Sequence, residues 1–337
     1  MADLRTRFMG IDVKNPIVVG ACNLSQKPDT LVQLEKAGAA AIVYKSLFEE
    51  QIQYERVQLN ENLHEYDDRY AEHLTMHPQI EHAGPGEYLA GLKKAKDALS
   101  IPLIGSLNAV YKETWVEYAG LIQDTGVDGL ELNFYSVPKN TGTDAGKLEN
   151  QQIEILKAIK EVINIPVSVK LGPFYSNPLN VITRMDEIGV NGYVLFNRLF
   201  QPDIDVDSEE HIFPFNLSAE GDYRLPLRFA GMLYNNINGN ICSNTGIFNG
   251  KDVARMILAG ADCTQVVSAI YKYKPGHISV MLSELESWME SKSYSSISDF
   301  QGKLSKASSK DPFAYSRAQY VDILMNPQEI IKRYPVV

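Results

Sequence analysis

Eight short apolar runs, each followed by an amphipathic stretch of helical period, predict a (β/α)8 TIM barrel. The runs are apolar on both alternations, as strands buried on both faces of a parallel sheet must be. Parallel neighbours also need a crossover, and a helix is the usual one. A doubly wound open sheet is the alternative. It lacks its fingerprints here, since no GxGxxG follows a strand and no Walker phosphate loop is present.

The elements follow in order. PIVVGA (16–21) opens the barrel and TLVQLEKAG backs it. AAIVYKS (40–46) is the second strand, and GEYLAGLKKAKDAL leads into the third, PLIGSL (102–107). WVEYAGLIQDTG precedes GLELNF (129–134), and QQIEILKAIKEVI precedes PVSVKL (166–171). PLNVITRMDEIG leads to GYVLFN (192–197), and NICSNT (240–245) with KDVARMILAG leads to CTQVVSA (263–269). The helical stretches carry apolar residues at i, i+3 and i+4, and several end in glycine, a common helix stop. Two connections, 47–87 and 198–227, exceed the usual length and leave the C-terminal ends of strands. They are expected to form lid loops there, the second as a small hairpin over the barrel mouth. The expected division is a barrel over residues 1–304 and a tail with a short helix over 305–337.

Composition narrows the function classes. The chain has 337 residues and a formal net charge of −10, with no basic block. Such a chain is a poor candidate for sequence-independent nucleic-acid binding. No apolar run approaches the roughly 20 residues needed to span a bilayer, so no membrane partner is expected. The first residues lack the apolar core of a signal peptide, and three scattered cysteines fit a reducing cytosol, so a cytoplasmic protein is expected.

Residues that end barrel strands share one mouth. Here they are Ala21, Lys45, Asn108, Asn133, Lys170, Asn197, Thr245 and Ser268. A lysine ending an apolar strand is costly to bury unless something pairs with it. Two of them beside three asparagines form a polar pocket for an anionic or strongly hydrogen-bonding ligand. NTGIFNG (244–250) and VVSAIYK (266–272) each run strand, turn, helix, the usual phosphate site of this fold.

PIVVGA, YKS, ELNF, VSVKLGP, LFNR, NTGIFNGKDVARMILAGAD and YSSISDFQGKL occur in family order and resemble the dihydroorotate dehydrogenase family across most of residues 10–304. SLFEEQI, LFNR, QPDID and LPLR are most similar to its dihydroorotate dehydrogenase-like branch. The resemblance implies FMN across the barrel mouth. Ala21, Lys45 and Ser46 would touch the flavin, with Asn108 beside them. Asn133 and Lys170 would bond its ring edge or ribityl chain, and Thr245, Gly246, Val267 and Ser268 would hold its phosphate. A cation at the pyrimidine end of a flavin stabilises the reduced ring. The family reaction takes dihydroorotate to orotate, and a homodimer is expected from its cytosolic members.

The substrate half departs from the family pattern. Counting from Asn133, the base position falls on Ser136; counting back from Pro138, it falls on Val137. The family asparagine after the proline is absent in the first register and is Lys139 in the second. Asn197 is kept, but Arg198 replaces a small hydroxyl residue. Ser136 is the candidate base, and Lys45, Asn133, Asn197 and Arg198 are the candidate substrate contacts for a small anion. Tyr135 is read first as a ring covering the flavin. His73 and His77 have helical ligand spacing, but His64, His73, His77 and His82 are read as solvated lid residues, with no metal site. Cys22, Cys242 and Cys263 are read as buried thiols. The expected function is an FMN-dependent dehydrogenase acting on a CH–CH bond, with an electron acceptor the sequence does not name. The alternatives are a flavin oxidoreductase for another small anion, a flavin-binding electron-transfer or regulatory subunit, and a phosphate-ester lyase or isomerase.

Overall fold

A computed structural model describes residues 2–54, 84–135, 141–198, 201–310, 312–326 and 328–333. The chain begins with an antiparallel hairpin, β1 (Thr6–Phe8) and β2 (Ile11–Val13), that no long apolar run announces. The barrel then starts with β3 (Ile17–Val19) and α1 (Pro28–Lys36). Its second strand is split into β4 (Ala41–Val43) and β5 (Leu47–Phe48), followed by helical residues 49–54 (α2). Next come α3 (Pro85–Ala98), β6 (Leu103–Asn108), α4 (Lys112–Gln123) and β7 (Gly129–Phe134). They lead to α5 (Ala145–Val162), β8 (Val167–Leu171), α6 (Pro178–Asp186) and β9 (Gly192–Leu195).

The second long connection contains the expected hairpin, β10 (Asp203–Asp205) with β11 (Glu210–Ile212). After it come α7 (Arg224–Leu233), β12 (Asn240–Asn244), α8 (Gly250–Ala259) and β13 (Cys263–Val266). Helices α9 (Ser268–Tyr273) and α10 (His277–Ser291) complete the last unit. The tail carries two helices, α11 (Arg317–Met325) and α12 (Gln328–Arg333), where one was expected.

Parallel pairing closes the sheet. β13 pairs with β3 (Thr264 opposite Ile17), β3 with β4, and β4 with β6 (Ile42 opposite Leu103). The ring continues β6, β7, β8, β9, β12 and back to β13. The strands are therefore buried on both faces, as their composition requires. One apolar layer joins strands to helices. A second fills the lower barrel with Val18, Val43, Ile104, Val194, Cys242 and Cys263. The β1–β2 hairpin plugs this end, because Phe8 and Met9 are buried against it.

Gly129 and Gly192, the first residues of β7 and β9, leave space for Met9. A Cβ on Gly192 would stand 3.1 Å from Met9 Cβ, and one on Gly129 would stand 2.6 Å from Met9 Cε. Helix α5 starts earlier than its apolar period, because Asp144 caps it by accepting from the Lys147 amide at 3.1 Å through an exposed polar first turn. No helix among the described residues is long and apolar enough to cross a membrane.

Candidate active site

At the C-terminal ends of the strands lies a cavity of about 420 Å³, within the range of small-molecule and cofactor sites. All eight barrel units contribute to it. Ala21, Lys45, Ser46, Asn108, Asn133, Lys170, Asn197, Arg198, Thr245, Gly246, Val267 and Ser268 all line it. Ser136, Val137, Pro138 and Lys139 lie outside the described residues, as do His64, His73, His77 and His82.

The break between β4 and β5 explains Lys45. Tyr44 turns outward, buried edge-on to Tyr88 with ring centres 5.5 Å apart, so the next side chain faces the barrel axis. Burial pulls the Lys45 ammonium below its usual range. Ser46 is tied inward, its hydroxyl sharing a 2.7 Å hydrogen bond with that of Ser106. Asn197 Nδ2 donates to Asn133 Oδ1 at 2.7 Å, which fixes both amides at the mouth. The Asn133 amide hydrogens and the Asn197 carbonyl stay outside that bond and are available to a ligand.

Lys170 is 5% exposed, and the structure supplies the pairing that its burial demands. Its ammonium donates to Gln265 Oε1 at 3.1 Å and lies 3.9 Å from Glu131 Oε1. Gln265 in turn donates to Glu131 Oε2 at 2.6 Å. Burial pushes the Glu131 carboxyl up, while the Lys170 charge and the Gln265 hydrogen bond pull it back. Neither Glu131 nor Gln265 is evident from sequence. The one local signal is a carboxylate inside the apolar strand GLELNF.

The loops after β12 and β13 form the opposite wall. Thr245 Oγ1 donates to the Phe196 carbonyl at 3.0 Å, and Asn244 Nδ2 donates to the same oxygen at 3.2 Å. Gly246 has φ +75°, and a Cβ there would stand 2.4 Å from the Tyr223 amide, so only glycine fits. Among the described residues no acceptor stands opposite the amides of Gly246 and Ile247. Ser268 Oγ accepts from the Ser218 amide at 2.9 Å, and Lys272 donates to the Ser218 carbonyl at 2.8 Å. This draws residues 215–218, part of the long connection expected over the mouth, against the cavity; sequence reasoning did not single them out.

Arg198 lines the cavity, and its Nη1 and Nε donate to Asp222 at 2.6 Å and to the Asn216 carbonyl at 2.9 Å. It fastens the 215–222 segment. Cys242 and Cys263 are buried inside the barrel as expected, whereas Cys22 lines the cavity wall. Burial raises its thiol pKa.

Comparison with known proteins agrees with this arrangement. The profile of the family described as dihydroorotate dehydrogenase matches residues 68–289. The chain is 29% identical over 309 residues to the dihydroorotate dehydrogenase B (NAD(+)) catalytic subunit of Thermoplasma volcanium, covering 90% of this chain and 98% of that protein. The subunit of the same name from Methanocaldococcus jannaschii is 26% identical over 279 residues, covering 80% of this chain and 87% of that protein. The one from Pyrococcus abyssi is 24% identical over 307 residues, covering 89% of this chain and 98% of that protein. With the closed barrel, the lysine ending its β8 strand and the family profile over most of the chain, the protein belongs to the dihydroorotate dehydrogenase family of oxidoreductases.

Proposed function

We propose that the cavity holds FMN and that the protein removes hydride from a small anionic substrate of the dihydroorotate type. The observation that carries this reading is one cavity with a buried, hydrogen-bonded lysine on its floor and open backbone amides at its rim. The residues fit the cofactor. Gly246 and Ile247 offer amides to a phosphate, with Thr245, Val267 and Ser268 beside them. Ala21 supplies a small apolar surface, and Lys45, Ser46, Asn108, Asn133 and Lys170 supply polar contacts for the ring and ribityl chain. FMN, when bound, supplies the hydride acceptor.

The chain's own groups do the rest. Lys170 holds positive charge where the ring's pyrimidine edge would lie, favouring its reduction. Asn133 and Asn197, locked together, present a donor and an acceptor to the substrate. Ser136 is the candidate base. Arg198 is the candidate charged contact to the substrate, and it also fastens residues 216–222 to the rim. The relatives are named as catalytic subunits of an NAD(+) enzyme, and we infer that here too electrons leave to a separate acceptor protein. The division into a barrel over 1–304 and a tail over 305–337 goes with this reading, since every cavity-lining residue lies in the first.

The test is the identity of the released ligand. Denatured, purified protein should yield FMN by mass spectrometry; FAD, or no flavin, rejects the proposal.

A further inference from the structure

Beneath the cavity, β7, β8 and β13 bring a carboxylate, an ammonium and an amide together inside the barrel. The order of donors is set by chemistry. An ammonium can only donate, so the Gln265 oxygen must face Lys170 and its NH2 must face Glu131. Glu131 Oε1 is buried without a hydrogen-bond partner, and the nearest cation is the Lys170 ammonium at 3.9 Å. Space for the amide is reserved by Gly20, where a Cβ would stand 2.8 Å from Gln265 Oε1. The other titratable group beside Glu131 is the Cys242 thiol, held neutral by burial. A fully buried carboxylate at this distance, with one oxygen aimed at nothing but Lys170, has more to do than hold the barrel together.

We propose that Glu131 is a positioning residue that acts through Lys170, its carboxylate masking part of the lysine charge that a ligand in the cavity feels. The inference rests on the flavin reading above. Gln265 couples the two, so the floor presents a partly neutralised cation rather than a full one. The electron affinity of the bound cofactor is thereby set by a residue that does not touch it.

The test uses the flavin-loaded protein and sulfite, which adds reversibly to flavins and binds more tightly as positive charge beside the ring increases. The readout is visible absorbance, not turnover. Glu131→Gln keeps an acceptor for Gln265 but removes the charge, and should tighten sulfite binding about tenfold, the scale of one buried unit charge. Glu131→Asp, which keeps the charge, should stay near the wild type. In a Lys170→Met background Glu131→Gln should change nothing, because an unpaired buried carboxyl takes up a proton and is already neutral.

Sulfite affinity within twofold of the wild type in Glu131→Gln, an equal change in Glu131→Asp, or an effect that persists without Lys170 overturns the inference. Should Glu131→Gln not fold, infrared difference spectra of wild type on reduction give the answer. A carboxylate band should be lost and a carboxylic-acid band gained as added negative charge competes for Lys170; their absence overturns it. Wild type without flavin defeats the functional reading instead.

Discussion

Lys170 is where burial, charge and hydrogen bonding meet. Its ammonium is nearly inaccessible yet paired, so removing it deletes a charge at the floor of the cavity. Lys170→Ala should therefore lower flavin content or make the flavin harder to reduce, measured as bound FMN per chain and as midpoint potential. Unchanged values for both would place Lys170 away from the cofactor. At the substrate face, loss of a general base costs at least about 10²-fold, so Ser136→Ala should slow anaerobic flavin reduction by that factor, with flavin content unchanged. Reduction of the wild type by dihydroorotate itself should be slow. Lys139 stands in place of an amide in one register, Arg198 stands in place of a small hydroxyl residue, and a buried polar substrate short of partners loses binding heavily. Stopped-flow absorbance checks both expectations. Fast wild-type reduction would make dihydroorotate the substrate, and an equally fast variant would exclude Ser136.

At the scale of elements, the glycines that open β7 and β9 make an informative pair. Gly192→Ala places a methyl 3.1 Å from Met9 Cβ and 3.3 Å from its Cα, and Gly129→Ala places one 2.6 Å from Met9 Cε and 3.2 Å from the Pro166 carbonyl oxygen. Overpacking a tight core costs typically about 1–3 kcal/mol. Both variants should fall in that range, read as urea midpoints; a Gly192→Ala midpoint at the wild-type value would mean that Met9 is not the rigid plug described. Much of the element order was legible in the sequence, for a physical reason. Strands buried on both faces must be apolar throughout, so PVSVKL and GYVLFN announce themselves. The β1–β2 hairpin did not, because three-residue strands leave no period to read. Nor did the break at Tyr44–Ser46, which interrupts a run whose composition stays strand-like. The site was legible only as strand ends. The Glu131–Gln265–Lys170 cluster joins residues 95 and 134 positions apart, and only barrel closure makes them neighbours.

Taken whole, the molecule has one apolar end and one polar end along the barrel axis. Ligand binding at the polar end should be felt by the entire fold, because every barrel unit lines the cavity. At about a thousandfold excess over Kd, a ligand that binds only the native state adds roughly 4 kcal/mol. Stripping the flavin should therefore lower the thermal midpoint by roughly 5–10 °C, recovered on adding FMN and followed by circular dichroism. An unchanged midpoint would mean that the cofactor is not bridging the units.

The plug formed by Phe8 and Met9 has a consequence for what the rim can tolerate as well as for stability. With the lower end sealed by hydrocarbon, part of the ring's closure is made far from the rim. Substitutions at the rim can therefore change what the cavity accepts while the hydrocarbon seal at the other end stays as it is. One end keeps the shape and the other chooses the ligand.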